Sequence, residues 1–391
     1  MFFTVLTAVA ILNRTPNQTL HSAGDTVLFR LVWEVASNVH PAGDSLGELS
    51  GVAVDSWGNV YVSDFSAARI WLFDSRGRFV RSLGRQGQGP GEYRAPTGIA
   101  IDSSERLYVR DTYRITRYRP DPTVRRIDQI DQIFPGPPNA DWRSTRATRF
   151  DRAGRMYYPG HKWLADGTAL RFFVRFVPGH RELDTVFVPR YSNEPQLTAH
   201  VRMTERSGRM LPGLSIVPFA TRPAWDVTTN GSIISGDAKT YLLRESDTTG
   251  KILREYRRTT PLEKVSEREF HESTTALERR LDSVSAFIRN VRGMPPEVRD
   301  RRIPRTLPAY VAVYSSIGDS VWVRRWPSSG RKETVFDVFE SSGRFVCTVV
   351  LPRAVAIEPS PVLSLRRVVA IAIDPETGEH SVVVFDGPRA K

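Results

Sequence analysis

Cysteine is almost missing from this chain of 391 residues: Cys347 stands alone, which excludes an internal disulfide and a thiolate metal cluster. In the run Phe345-Val346-Cys347-Thr348-Val349-Val350 it reads as core filling. Lysine is scarce too, confined to positions 162, 239, 251, 264, 332 and 391, so the net charge of +12 comes from arginine spread evenly along the chain. A nucleic-acid footprint is marked by clustered base, and even spacing argues against one. The N-terminal apolar run Phe2–Leu12 is too short to span a bilayer. It fits a signal-peptide core, with Ser22-Ala23-Gly24 as a small-residue cleavage site, although no Lys or Arg precedes it. Residues 1–24 are therefore read as a signal peptide and the protein as periplasmic or secreted, without a transmembrane helix once the signal is removed. No Gly-Lys-Ser/Thr or His-Glu-x-x-His occurs, and no two of the histidines at 21, 40, 161, 180, 200, 271 and 380 have metal-ligand spacing on a helix face.

What the chain has is enough apolar residue for a core, 40% hydrophobic with 10% aromatic, and a repeat. Gly51, Asp55, Tyr61, Val62 and Asp64 recur as Gly98, Asp102, Tyr108, Val109 and Asp111. Each unit holds several short strands, and a period of this length points to propeller blades. In the first unit the strands are Val52–Val54, Val60–Val62, Arg69–Phe73 and Phe79–Leu83, joined by Asp- and Gly-containing turns. Degenerate copies follow at 148–176, 224–256, 312–351 and 368–386, and the last stops before a fourth strand. The strand-like 26–35 can supply it and close the ring, giving six blades from residues 25–391.

The stretch "GRQGQGPGEYRAPTGIAID", 84–102, has the glycines of a phosphate loop but no helix after them, so it reads as the connection between an outer strand and the next inner strand. The segments 50–93 and 96–111 resemble NHL repeats, and more closely the bacterial six-bladed β-propellers with a Gly-x-Gly-Pro-Gly-Glu-Tyr/Phe connection. The resemblance implies the fold; propellers host unrelated functions. One departure stands at Ser103-Ser104-Glu105-Arg106, where Gly-Asn is the family's turn.

Between the fourth and fifth blades, about 261–304, Phe270, Leu277, Leu281, Val284, Ile288 and Val291 form one helical face. Ser266 with Glu269 is a capping box, and Gly293 with Pro295 ends the helix. It reads as a helix lying on the propeller, or as a lid over one face. Second-strand ends and inter-blade connections share a face at the channel mouth, so ligand-face candidates are Arg69, Arg85, Gln88, Glu92, Tyr93, Arg110, Tyr113, Arg114 and Tyr158, with Phe65 and Lys162 nearby. The expected function is non-catalytic recognition of a protein, peptide or glycan, of acidic character, by a monomer without a cofactor. The alternative is a calcium- or zinc-dependent hydrolase or lyase of lactonase type, with Asp64, Asp111, His161 and Asp237 as ligands. A second alternative is an RNA-binding NHL-type propeller. The long segments 121–147 and 191–222 carry no strand assignment.

Overall fold

A computed structural model describes residues 26–36, 45–111, 114–119, 127–132, 148–163, 169–180, 182–190, 198–204, 210–259, 261–292, 297–299, 303–327, 332–374 and 376–388. The signal-peptide segment and Tyr113 lie outside the described residues.

Strands too short to be stable alone are gathered into antiparallel sheets that bury both faces against their neighbours, making a six-bladed β-propeller. Blade 1 comprises Leu49–Val54, Val60–Asp64, Arg69–Phe73 and Phe79–Leu83; blade 2, Gly98–Ile101, Leu107–Asp111, Arg114–Tyr118 and Ile127–Gln132. Blade 3 is Arg149–Phe150, Met156–Trp163, Ala169–Phe176 and Leu183–Phe187; blade 4, Ala224–Val227, Ile233–Gly236, Leu242–Ser246 and Ile252–Arg257. Blade 5 is Ala312–Ser315, Val321–Arg324, Thr334–Phe339 and Phe345–Leu351. Blade 6 has Val362–Leu363, Arg367–Ile373 and His380–Asp386, and its outer strand is Arg30–Ala36 from the start of the sequence.

Alternation along each strand divides the core into seams. In blade 1, Val60, Val62, Trp71 and Phe73 pack with Val369, Ile371, Val382 and Val384 of blade 6. Their sequence neighbours Tyr61, Ile70 and Leu72 pack with Ile99, Leu107 and Val109 of blade 2. The central strands therefore lack the polar face of a half-buried sheet.

Two differences from the sequence reading stand out at the closure. The initial strand is divided: Thr26–Leu28 adds in parallel to Phe345–Leu351 of blade 5 before Arg30–Ala36 pairs antiparallel with blade 6. Phe29 between them is buried among Phe385, Val349 and Leu351, which anchors the crossing. Blade 6 also has the short inner strand Val362–Leu363 ahead of 368–386.

The segments without assignment contain structure. Ile127–Gln132 completes blade 2, and Thr198–Thr204 with Met210–Ile216 forms a hairpin joined by Glu297–Arg299. The helix α1, Glu267–Arg292, starts at the Ser266–Glu269 capping box, where Glu269 N–H donates to Ser266 Oγ (3.3 Å). It packs beside the accessory hairpin, and its first turn is pinned by Phe270 in a cluster with Phe219, Val265, Leu307 and Trp326. Arg305 lies over the Phe270 ring at 3.5 Å. No helix among the described residues is long and apolar enough to cross a membrane.

Candidate functional site

The antiparallel order gives the ring two unlike ends. One carries the tight turns after the first strand of each blade. Asp55 there accepts hydrogen bonds from the N–H groups of Trp57 and Asn59 and from the Tyr61 hydroxyl. Asp102 and Asp151 do the same with Arg106 and Tyr108, and with Arg155 and Tyr157. Turns of blades 3, 4 and 5 are laced together: Arg152 N–H donates to the Thr229 carbonyl (2.8 Å), its Nη1 to Asn230 (2.8 Å), and its Nη2 pairs with Asp319.

The other end gathers the loops after the second strands and the inter-blade connections, and it holds most of the candidates. Asp64 accepts from the N–H groups of Gly47 (2.8 Å) and Ala67 (2.9 Å) and from Trp71 Nε1 (3.0 Å). Its repeat equivalent Asp111 accepts from Arg94 (3.0 Å) and Ala95 (2.7 Å). Both fasten an incoming connection to the top of a blade. Asp237 accepts from Lys239 N–H, and His161 lies half-buried in Met156–Trp163 opposite Arg171. Among the described residues, no three His, Cys, Asp or Glu side chains converge as a metal site would require.

The Gly-rich connection is built around Glu92 and Tyr93. Hydrogen bonds from Gly89 N–H, Arg85 and Gln88 N–H hold the Glu92 carboxyl below the usual carboxylate range. Arg114 reaches back to the carbonyls of Gln88 (2.9 Å), Gly89 (3.1 Å) and Glu92. Tyr93 is fully buried and bonded through its hydroxyl to Tyr118. Gly84 is required beneath it, since a Cβ there would lie 2.2 Å from the Tyr93 ring, and its φ is +81°.

Side-chain position thus divides the ligand-face candidates. Arg85 and Gln88 are exposed, Glu92 and Arg114 partly so, and Arg69 is half-buried over the Trp71 ring at 5.1 Å. Arg110 and Tyr158, like Tyr93, are buried inside seams: the Arg110 guanidinium lies 5.5 Å from the Tyr158 ring, whose phenol burial pushes up to about 12. Charge and aromaticity in the sequence do not distinguish a seam from a face.

The same end also holds a cleft of ≈ 180 Å³ between blades 4 and 5, lined by Tyr241, Leu262, Leu307, Arg324, Arg325 and Trp326 among others. The stem of the insertion roofs it, where Leu307 N–H donates to Glu263 and Val265 N–H to Arg305. Behind it the fully buried Asp337 accepts from Tyr241 Oη (2.6 Å), Arg325 Nε (2.9 Å) and Nη2 (2.7 Å), and Thr348 Oγ1 (2.9 Å), with Arg258 as a further partner. Burial pushes the Asp337 carboxyl up, but the bonds from Arg325 and Tyr241 outweigh it and hold it below its ordinary value. Burial and Asp337 raise the Tyr241 phenol well above its own. These groups fix the wall of the cleft and are ill suited to moving protons near neutrality. Sequence reasoning missed the cleft because its walls come from segments far apart in the chain; the helical insertion was the one signal pointing there.

A family model, DUF5128, described as a 6-bladed beta-propeller, matches residues 45–121, which cover blade 1 and the first three strands of blade 2. No curated protein matches the chain by sequence. Solved structures similar to it include a virginiamycin B lyase from Staphylococcus aureus, at 12% identity and TM-score 0.39, covering 91% of this chain and 99% of that one. A member of the duf4221 family from Bacteroides vulgatus has 9% identity and TM-score 0.45, covering 93% and 98%. The PQQ-bound aldose sugar dehydrogenase from Streptomyces coelicolor has 13% identity and TM-score 0.43, covering 92% and 98%. These similarities attach no activity to the chain. By its own strand order, and by a family match over its first repeats, the protein is a six-bladed β-propeller.

Proposed function

We propose that this propeller is a binding protein, exported from the cell, that recognises a peptide, protein or glycan of acidic character through the end bearing the inter-blade connections. One observation supports this most: Asp64, Asp111 and Glu92 are engaged by the loops they fasten and Asp337 by Arg325 and Tyr241, while Arg85, Gln88 and Arg94 stand exposed on the connection between blades 1 and 2, and an aromatic-walled cleft opens on the same end between blades 4 and 5. Arginine with aromatics is the composition of binding hot spots. Export rests on the N-terminal apolar run, and an NHL-type kinship on the Gly51–Asp64 and Gly98–Asp111 copies.

The test is to probe peptide and glycan arrays with the full chain, and then with the Arg85→Ala/Arg94→Ala variant. Acidic ligands bound by the first and weakened about tenfold, or ~1.4 kcal/mol, in the second support the reading. An array without specific ligands would overturn it. So would one calcium or zinc per chain, lost in Asp64→Ala and accompanied by lactone or ester turnover, which would replace it with the hydrolase or lyase.

A further inference from the structure

Successive strand residues point to opposite faces, and this separates the two arginines at the cleft. Trp322 packs in the seam shared with blade 6, and Arg324 follows it there, its Nη2 donating to the Val355 carbonyl at 2.7 Å. Val323 packs with Tyr241, Leu243 and Tyr256 of blade 4, and Arg325, whose N–H continues the ladder to the Val335 carbonyl (3.0 Å), points to that side. Its partners agree: Asp337, to which Arg325 donates from Nε (2.9 Å) and Nη2 (2.7 Å), also receives the Tyr241 hydroxyl and Arg258 from the blade 4 side. A guanidinium is a flat fork of fixed N–H groups. With Nε and Nη2 spent on a fully buried carboxylate, Nη1 lies on the side of the fork away from it and makes no hydrogen bond among the described residues. The side chain is 34% exposed and lines the cleft, so the free donor is held in one direction by Asp337.

Around this donor the walls are apolar: Leu262, Leu307, Trp326 and the prolines 261, 308 and 327. A cavity of about 150 Å³ accommodates benzene. At ≈ 180 Å³ this one has room for one ring or branched aliphatic group. The charges facing it are already answered. Arg258 and Arg325 share Asp337, and the exposed Glu263 attracts Arg325 from the rim, where Glu333 is exposed as well. An entering anion would give up its water for one N–H between two carboxylates, and an entering cation would meet Arg325. A carbonyl oxygen accepts the same N–H at a far smaller cost in lost hydration.

We propose that the cleft between blades 4 and 5 receives an uncharged apolar residue from within a peptide chain, its side chain against Trp326, Leu262 and Leu307 and its backbone carbonyl on Arg325 Nη1. The proposal rests on reading this end as a peptide-binding surface, and it names the residue that an acidic partner buries there. The cleft is separate from Arg85 and Arg94, so the two readings fail separately. Acidic ligands on the array without binding here would overturn this one alone, and binding here beside an empty array would overturn only the acidic one.

Calorimetric titration of the full chain with N-acetyl-phenylalanine amide, N-acetyl-phenylalanine and phenylalanine amide tests it, at about pH 6 so that the free amine is charged. The three share a ring and differ in charge. The neutral compound should bind at least about tenfold more tightly than the acid or the amine. Leu262→Ser, at an exposed position of the wall, should weaken the neutral compound by about fivefold. Arg325→Lys keeps a cation on Asp337 but has no second N–H beyond it, and should weaken the neutral compound by about fivefold as well. The double variant Glu263→Gln/Glu333→Gln should bring the acid closer to the neutral compound and leave the neutral compound's own affinity unchanged. Equal binding of all three, preference for the acid or the amine, absence of binding, or an affinity for the neutral compound that survives in Leu262→Ser or Arg325→Lys would overturn the proposal. Should Arg325→Lys not fold, the ranking of the three ligands on the wild type and the effect of Leu262→Ser decide.

Discussion

Arg106 and Arg155 occupy the place that Asn59 takes in blade 1. Asn59 Nδ2 donates to Asp55 Oδ2 at 3.0 Å, and the arginines donate from Nε to Asp102 and Asp151 at 2.7 and 2.6 Å. The residue before each is left-handed: Gly58 at φ +82°, Glu105 at +61° and Gly154 at +74°. Blade 2 departs from the Gly58-Asn59 of blade 1 at this turn, yet the conformation is kept, because Glu105 tolerates the φ and Arg106 supplies the bond. Gly154 has open space where a Cβ would go, so Gly154→Ala should cost only the backbone strain, ~1 kcal/mol, read as a shift in the urea midpoint. At Asp337 the cause is charge. Its carboxyl is held below its ordinary value of 3.8, so the cluster's contribution is complete above the unfolded-state value and is lost as pH falls through the lower folded one. Asp337→Asn should cost about 3 kcal/mol at pH 7 by leaving Arg258 and Arg325 around a neutral amide. The difference from wild type should shrink at pH 2; a difference unchanged there would show that the carboxylate's charge is not what holds the cluster.

Each element shows how far pattern alone could place it. The helix was legible in detail: its apolar stripe, its Ser266–Glu269 start and its stop before Gly293 all correspond to Glu267–Arg292. Ile127–Gln132 was not, because the repeated Ile-Asp-Gln triplet breaks the period of two. Val362–Leu363 has no room to show a period. The hairpin 198–216 departs from the propeller repeat and so was not anticipated by it. Leu277 and Leu281 are the buried described residues of the helix stripe, while the first turn is held separately by Phe270. The Leu277→Ala/Leu281→Ala variant should therefore become more sensitive to limited proteolysis within 267–304 and leave the thermal midpoint of the blades nearly unchanged. Loss of cooperative unfolding would instead make the helix integral to the ring. The N-terminal strands behave in the opposite way: Phe29 belongs to the largest seam cluster, and Phe29→Ala should lower stability by about 3–5 kcal/mol, measured by chemical denaturation.

At the scale of the whole molecule, the laced turns at one end and the open connections at the other give the ring a direction. With net charge +12, association with an acidic partner should slow as salt rises, as long-range attraction is screened; stopped-flow association rates at 50 and 500 mM salt would show it, and salt-independent rates would place recognition in the apolar cleft. The fold was readable because a repeat states it more than once. The site was less so, because Tyr241, Leu262, Leu307 and Arg325 meet only after blades 4 and 5 are assembled, and because Arg110, Tyr93 and Tyr158 look in sequence like surface groups. The divided first strand has a consequence in time. Arg30 pairs with Asp386, and Thr26 with Thr348. On the ribosome, the earliest of these residues to emerge must wait for almost the last before they have anything to pair with. Until then Leu31 and Val32 have no sheet to join, and blades 5 and 6 lack their edges. Those open edges are adhesive until then, and the step that closes the ring is the capture of the early strands by the late ones.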